Sequence, residues 1–243
     1  MTRFFVAPED MQPDFIVLAG ENAKHAKVLR LKAGEEVLVC DGQGAEALCT
    51  VSDVSDGQIS LVVNKRQASE AEAKVKVSVY MAFPKADKLE HVIQKATELG
   101  AYEIVAFPST RCVSRPDEKS LAKKLERWQK IAASAAEQSG RGLVPKVLTL
   151  PSYKAALERA AQADKALLFY ENEQATTLKM ALSSGTYHIV SLLTGPEGGL
   201  EFAEVEQAQA AGLQVCTLGK RILRCETAPL CALSAVMYDA GEF

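Results

Sequence analysis

A repeated change of hydrophobic period along residues 75–243 limits the folds that this chain can adopt. Apolar and more polar residues alternate over Val75–Met81, as in a strand, and apolar residues then follow helical spacing from Leu89 to Leu99. The same change recurs later, with two further strands and a long helix predicted at Glu103–Phe107, Lys165–Phe169 and 117–139. Because strands separated by helices pair in parallel, the pattern predicts an α/β fold with a mostly parallel sheet.

Two glycine-bearing loops, Leu193–Leu200 and Leu218–Ala228, each lie between a predicted strand and a predicted helix. The strands and the helices that follow them are predicted, in chain order, at Tyr187–Leu193, Glu201–Ala211, Leu213–Leu218 and Pro229–Ala240. Ligands of open α/β sheets bind beyond the carboxyl ends of strands. We therefore expect both loops to face one crevice, where glycines allow the backbone to approach a ligand closely.

Neither loop matches a known phosphate-binding motif. The first loop reads G-P-E-G-G instead of G-x-G-x-x-G, and Gly219-Lys220 lacks both the earlier Walker glycine and the following Ser or Thr. A single loop rich in glycine and proline is often only a turn. The pair of loops is more specific, and it favours a ligand other than a nucleotide phosphate.

The two loop motifs, G-P-E-G-G-L at 195–200 and L-G-K-R-I-L-R-C-E-T-A at 218–228, resemble the 16S ribosomal RNA uridine N3-methyltransferase family (RsmE) of the SPOUT superfamily. Further matching segments lie at 85–90, 94–100 and 136–141. Relatives often carry S-E-R-S or S-E-R-C where this chain has Ser109-Thr110-Arg111-Cys112, which keeps the arginine. The resemblance begins at Arg3 and continues almost to the C-terminus.

The resemblance implies a C-terminal SPOUT domain with a deep trefoil knot, which binds S-adenosylmethionine in a bent shape. Backbone groups of the two loops would hold the adenine and ribose, and Ile222 and Leu223 would pack against the adenine. The cofactor-binding residues implied in this way are Leu193, Thr194, Gly195, Pro196, Glu197, Gly198, Gly199, Leu218, Gly219, Ile222, Leu223, Thr227 and Ala228.

The resemblance also implies a homodimer, in which each active site is completed at the subunit interface. The last predicted helix offers a candidate dimer face with the apolar or aromatic residues Leu230, Leu233, Val236, Met237 and Tyr238. Burial of the same residues within one subunit is an equal alternative.

Arg224 and Glu226 are the candidate catalytic residues for the uridine N3 acceptor that the resemblance implies. Uridine N3 carries a proton and is a weak nucleophile until that proton leaves. Arg224 could stabilise charge on the uracil oxygens or hold a neighbouring phosphate, because its guanidinium offers directed donors. Glu226 could orient Arg224 or accept the proton, although capping of the following helix is the favoured alternative.

The charge distribution does not exclude an RNA partner. The formal net charge is -3, but residues 1–72 hold 7 Lys or Arg against 12 Asp or Glu, so the acidic excess is concentrated there. A solvated surface is the alternative for the basic residues. With the resemblance, the candidate RNA-binding residues are Lys24, Lys27, Arg30, Lys85, Lys88, Arg111, Arg115, Gln138, Arg141 and Arg221. The implied substrate is 16S rRNA, in the assembled small ribosomal subunit.

The polar stretch Gln67–Lys74 separates the N-terminal region from the α/β region. Short predicted strands precede it at Glu36–Cys40, Ala45–Val51 and Gln58–Val63, which indicates a small β-barrel. The resemblance implies a PUA-like RNA-binding domain over 1–70 and a methyltransferase domain over 75–243. A stabilising cap is the alternative for the first domain.

Several classes of protein are not supported. None of the six cysteines forms a C-x-x-C pair, so no metal site or disulfide framework is expected. We expect a cytoplasmic enzyme without a membrane span, since there is no long apolar run and the apolar start is too short for a signal peptide.

Two alternatives to N3 methylation are a different SPOUT specificity, such as ribose 2'-O-methylation, and a non-catalytic ribosome-assembly factor.

Overall fold

The computed structural model describes residues 1–55, 57–113 and 116–243, which divide into two compact units. The smaller unit contains residues 1–72 and 136–144, and the larger contains residues 73–135 and 145–243. Residues 136–144 thus belong to the first unit although they follow most of a helix of the second. The functional domains at 1–70 and 75–243 stay a prediction.

The smaller unit is built on one five-stranded sheet. Its strands are β1 Thr2–Phe5, β2 Phe15–Ala19, β3 Glu36–Cys40, β4 Ala45–Ser55 and β5 Gln58–Ala68, and helix α1 covers Gly20–Val28. The order is β1-β3-β4-β5-β2, with only β1 and β3 parallel. Alternate residues such as Ile16, Leu18 and Leu61 point into a common apolar core.

The N-terminal region is β-rich as predicted, but two details differ. The predicted linker starts too early, because Gln67 and Ala68 extend β5 by pairing with Glu46 and Ala45. The Gln67 amide also donates to the Glu46 carboxylate at 2.9 Å. Strands β1 and β2 and helix α1 were missed, since elements of four, five and nine residues are too short to establish a clear period.

The chain segment at 136–144 is held in the smaller unit by Glu72. Its carboxylate accepts hydrogen bonds from the backbone N–H groups of Gly142 and Leu143, at 2.9 and 3.0 Å. The guanidinium of Arg141, only 4% exposed, donates to the other oxygen at 2.7 Å. A buried arginine is stabilised by such a charge-assisted pair, so Arg141 has a structural role.

We expect Gly142→Ala to destabilise the smaller unit by about 1–3 kcal/mol, the usual cost of overpacking. An added Cβ at residue 142 would lie 2.5 Å from the Cβ of Ser69, which cannot swing away. Thermal unfolding would measure the loss. Ser69→Gly in the same chain should restore most of the stability, and failure of this rescue would contradict the steric explanation.

The larger unit confirms the predicted α/β fold with a parallel sheet. Its strands are β6 Lys76–Ala82, β7 Glu103–Phe107, β8 Lys146–Thr149, β9 Lys165–Phe169, β10 Ile189–Thr194 and β11 Gln214–Cys216. They are ordered β11-β9-β10-β6-β7-β8, and every pairing is parallel. All residues of β7 and β9 are buried, because helices cover both faces of such a sheet.

In the part of the chain that the structure describes, six helices accompany this sheet: α2 Lys88–Glu98, α3 Glu118–Gln138, α4 Tyr153–Ala160, α5 Leu178–Leu182, α6 Phe202–Ala210 and α7 Thr227–Asp239. Four of them match predicted helices, whereas the short α4 and α5 were missed. No helix within the described ranges is both long enough and apolar enough to span a bilayer.

Three of the five residues predicted for a dimer face on helix α7 are buried within the subunit instead. Leu233, Val236 and Met237 are at most 1% exposed and pack within their own subunit. Leu230 is half-buried, and Tyr238 is 75% exposed. The alternative of intrasubunit burial therefore holds for the three central residues, because α7 packs on α2, β6 and β10.

Candidate cofactor site

A cavity of about 460 Å³ lies at the carboxyl ends of the neighbouring strands β9, β10 and β11. The two predicted loops line it together with the segment that follows β9. The lining residues are Phe169, Tyr170, Glu171, Thr194, Gly195, Pro196, Glu197, Gly198, Gly199, Leu200, Thr217, Leu218, Gly219, Lys220, Arg221, Ile222, Leu223, Arg224, Cys225 and Ala228. The loops meet at one crevice, as the strand-end rule predicts.

The first loop is held by a turn of its own and by two neighbouring segments. The Gly199 N–H closes a turn on the Pro196 carbonyl at 3.0 Å. The Glu197 carboxylate accepts the backbone N–H of Lys85 at 2.9 Å, and the Arg111 guanidinium donates to the Gly198 carbonyl at 3.0 Å. These bonds fix the loop backbone before any ligand arrives.

The end of this loop is anchored by a capping box at the start of α6. The Glu201 side chain accepts the backbone N–H of Glu204, and the Glu204 side chain accepts the backbone N–H of Glu201. The Glu204 carboxylate, on a residue only 4% exposed, also accepts the backbone N–H of Thr110 at 2.9 Å. The segment after β7 is thereby tied to the first loop.

Two glycines of the first loop are needed for different reasons. An added Cβ on Gly195 would lie 3.1 Å from the Gly199 carbonyl carbon and 3.1 Å from Leu200 Cγ. Gly199 has φ +69°, a conformation that residues with a side chain rarely adopt. Close packing therefore requires glycine at 195, and backbone conformation requires it at 199.

The second loop presents exposed side chains to the cavity. Ile222 is 85% exposed, and Lys220, Arg221 and Arg224 are also exposed. Within the part of the chain that the structure describes, the Arg224 guanidinium makes no hydrogen bond or ion pair. A rigid donor group without a partner at a cavity is available to a ligand.

A charged cluster joins the two loops beside the cavity. The Lys88 ammonium, at the start of α2, lies 3.1 Å from the Glu197 carboxylate and 3.3 Å from that of Glu226. The Cys225 thiol donates to Glu226 at 3.2 Å. Burial and the bond to Glu226 raise the pKa of the Cys225 thiol to about 12, so it stays protonated.

The cluster keeps its carboxylates ionised. The Glu226 backbone N–H, the Cys225 thiol and the Lys88 ammonium lower the pKa of Glu226 despite some burial. Burial raises the pKa of Glu197, but bonds from the Lys85 backbone and from Lys88 outweigh it and lower the pKa overall. The bond to Glu197 raises the pKa of Lys88. All three groups are charged at neutral pH.

The favoured expectation that Glu226 caps the last helix is wrong. Glu226 occupies the N-cap position of α7, but its side chain makes no capping hydrogen bond. The residue has helical backbone angles there, and its carboxylate turns to Lys88 and Cys225 instead. Arg224 lies on the cavity lining, whereas Glu226 does not.

Most predicted cofactor-binding residues lie on the cavity lining, and their role as ligands stays a prediction. Leu193 and Thr227 do not line it, and Leu193 is fully buried in the apolar core below. Sequence reasoning missed Phe169, the last residue of β9, and Tyr170 and Glu171, which follow it. The strand-end rule could have found them, but only the sheet order shows that β9 lies between β10 and β11.

The predicted RNA-binding residues fall into different settings. In the smaller unit, Lys24, Lys27, Arg30 and Gln138 are exposed, and Arg141 is buried against Glu72. In the larger unit, Lys85 and Arg221 are exposed, Arg111 holds the first loop, and Lys88 is paired with two carboxylates. Arg115 lies outside the described residues. The burial of Arg141 disfavours an RNA contact, and the other assignments stay predictions.

No metal site emerges from the described residues. No group of three or more His, Cys, Asp or Glu side chains in those ranges is arranged to hold an ion. All six cysteines are free.

Comparison with known proteins identifies the family. Residues 71–237 match the model of the RNA methyltransferase domain, and residues 18–64 match that of the RNA methyltransferase PUA domain. Ribosomal RNA small subunit methyltransferase E from Bacillus subtilis is 38% identical, covering 98% of this chain and 97% of the relative. The protein of that name from Mesomycoplasma hyopneumoniae is 35% identical, covering 98% of this chain and 100% of the relative.

A solved structure agrees with these matches. Ribosomal RNA small subunit methyltransferase E from Neisseria gonorrhoeae, bound to S-adenosyl methionine, superposes with a TM-score of 0.86. It is 33% identical and covers 98% of this chain and 97% of its own. Because both the sequence and the fold match along nearly the whole length, this chain belongs to the ribosomal RNA small subunit methyltransferase E family.

Proposed function

We propose that this protein transfers a methyl group from S-adenosylmethionine to N3 of a uridine in 16S ribosomal RNA. The observation that carries the proposal is the cavity between the two glycine loops at the sheet edge. The proposal is also supported by the related structure from Neisseria gonorrhoeae, which has S-adenosyl methionine bound.

The cavity suits this cofactor in size and chemistry. Its volume of about 460 Å³ is in the range of small-molecule sites. Gly195 lines the cavity with a backbone that a ligand can approach closely, and the exposed Ile222 supplies apolar surface for a neutral base. The bound cofactor supplies a methyl group already activated on a sulfonium. Backbone groups of the two loops would hold its adenine and ribose.

The protein's own task is to position the acceptor and favour its anionic form. Loss of the N3 proton places negative charge on the uracil, including its oxygens. The unpartnered Arg224 guanidinium can stabilise that charge. Glu226 is a weak base because it is ion-paired and its pKa is lowered. We therefore propose that Glu226 positions the second loop, and that Arg224 stabilises the negative charge on the uracil.

The proposal includes the finer features implied by the SPOUT resemblance. The loops after β10 and β11 meet although β9 lies between their strands, which is compatible with a trefoil-knotted C-terminal region. The substrate would be the assembled small ribosomal subunit, which places the enzyme in the cytoplasm. The β-rich unit, with exposed Lys24, Lys27 and Arg30, would contact RNA.

We expect a homodimer in solution. The candidate surface is the exposed side of α7, where Cys231 and Tyr238 are exposed and Leu230 is half-buried. Light scattering should give twice the chain mass of 26.2 kDa. Tyr238→Glu should shift the protein towards monomer, because it would place a charge in an apolar interface. A wild-type monomer at working concentration would refute the dimer.

The function is tested by incubating the protein with labelled S-adenosylmethionine and small subunits that lack the modification. Bare 16S rRNA is treated in parallel, and methylated nucleosides are mapped by mass spectrometry. N3-methyluridine on the subunits is the expected product. Ribose methylation would replace the proposed acceptor, and RNA binding without any product would indicate an assembly factor.

A further inference from the structure

We infer that Lys88 is a positioning residue that clamps the two loops of the cofactor site together, rather than a contact to RNA phosphate. This inference rests on the proposed cofactor function of the cavity. Lys88 lies at the start of α2, outside both loops, and bonds one carboxylate from each of them.

The contact pattern makes Lys88 the connecting group. Among the described residues, no other side chain bonds both the segment 195–201 and the segment 218–226. The first loop has additional supports from Lys85 and Arg111. The cavity-lining residues Lys220, Arg221 and Arg224 of the second loop have no side-chain partner in the described ranges. Among the described residues, Lys88 therefore provides the side-chain bonds that hold the second loop against the first.

The charges explain why this bond matters. Glu197 and Glu226 both place an oxygen within 3.3 Å of the same nitrogen. Without the ammonium, two ionised carboxylates would face each other at close range and repel. Repulsion would part the loops and move Arg224, which lies two residues before Glu226.

The backbone before Lys88 is strained in a way that fits this role. Ala86 has φ +54°, in the left-handed region that alanine rarely adopts. It lies between Lys85, whose N–H bonds Glu197, and Lys88, whose ammonium bonds the same carboxylate. Strain of this kind persists where surrounding contacts determine the conformation. Here the contacts are those that hold the first loop.

The exposed fraction of Lys88 also argues against a free phosphate contact. Its side chain is 29% exposed, and its ammonium is already committed to Glu197, Glu226 and the Cys225 sulfur, the last at 3.8 Å. An RNA phosphate would have to compete with two carboxylates for the same donors. Net negative charge around the ammonium makes that competition unfavourable.

The test measures S-adenosylmethionine affinity by calorimetry in the absence of RNA. Lys88→Met should weaken binding by at least about tenfold, the loss expected when a hydrogen bond between charged groups is removed. Lys88→Arg should restore most of the affinity, because arginine can bridge both carboxylates. Lys95→Met is the matched control on the same helix, since within the described ranges Lys95 pairs only with the nearby Glu98. It should bind like the wild type.

A double-mutant cycle identifies the partner. Glu226→Gln should weaken binding in the wild type but cause no further loss in the Lys88→Met background, because the ion pair is already gone and one of the two repelling carboxylates is neutralised. Additive effects would overturn the clamp. If Lys88→Met does not fold, the comparison of Lys88→Arg with Glu226→Gln carries the test, and wild-type affinity in Glu226→Gln then contradicts it.

RNA binding separates the two roles of Lys88. If Lys88→Met binds the cofactor normally but weakens RNA binding with a salt slope reduced by about one, the residue contacts phosphate and the clamp is wrong. Wild-type protein that binds no S-adenosylmethionine would instead refute the proposed function itself. The two failures are therefore distinguishable.

Discussion

Arg224→Ala should lower kcat by about two to three orders of magnitude, the loss typical when one donor to a developing oxyanion is removed. The guanidinium lies on the cavity lining, and its removal breaks no hydrogen bond or ion pair among the described residues. Affinity for S-adenosylmethionine should stay close to that of the wild type. Single-turnover methylation of small subunits and calorimetry would measure the two quantities separately.

Arg224→Lys provides the matched control for charge. A lysine keeps the positive charge but loses the planar fork that can donate to two acceptors. We expect turnover between those of the wild type and the alanine variant. Wild-type kcat in Arg224→Ala would remove this residue from the mechanism, whatever the cofactor affinity.

Gly195→Val should weaken cofactor binding by about tenfold to a hundredfold, because overpacking costs about 1–3 kcal/mol. The added Cβ would meet two backbone positions, the Gly199 carbonyl carbon at 3.1 Å and the Leu200 nitrogen at 3.3 Å. The loop must shift to relieve these contacts, and the shift distorts the surface that faces the cofactor. Calorimetry would measure the affinity, and thermal unfolding would confirm that the sheet remains folded.

Gly199→Val gives a contrasting result at the same loop. Its added Cβ would lie 2.5 Å from the Glu171 carboxylate, but that contact involves the end of an exposed side chain that can move. The cost there comes from φ +69°. Adding Glu171→Ala should therefore not rescue the variant, and rescue would show that space matters more than conformation. Unchanged affinity in both glycine variants would refute the cofactor assignment of this loop.

The sequence predicted long or fully buried elements well. Strands β7 and β9 were predicted with the limits observed, because each is fully buried and consists of one charged residue followed by four apolar residues. The four-residue β8 and five-residue α5 were missed, since so few residues do not establish a period. Helix α4 was also missed, although Ser152 does cap it.

Side-chain partners were harder to predict. Arg141 matched a motif and was assigned to RNA, but Glu72, 69 positions away, buries it in the smaller unit. Lys88 was assigned in the same way, and it contacts Cys225 at a distance of 137 positions along the chain. Local pattern shows that a residue is charged and which elements surround it. It does not show which opposite charge the fold brings to it.

Periodicity and loop motifs are properties of contiguous residues, so they were enough to predict the α/β class, the β-rich N-terminal region, the family and the two glycine loops. Three features became visible only in the folded chain: the segment after β9 completes the cavity, the Glu226 carboxylate turns away from its helix, and Lys88 joins the loops. These features depend on the order β11-β9-β10-β6 in the sheet, which places distant segments side by side. Strand order follows from the packing of the whole chain, so no local pattern encodes it.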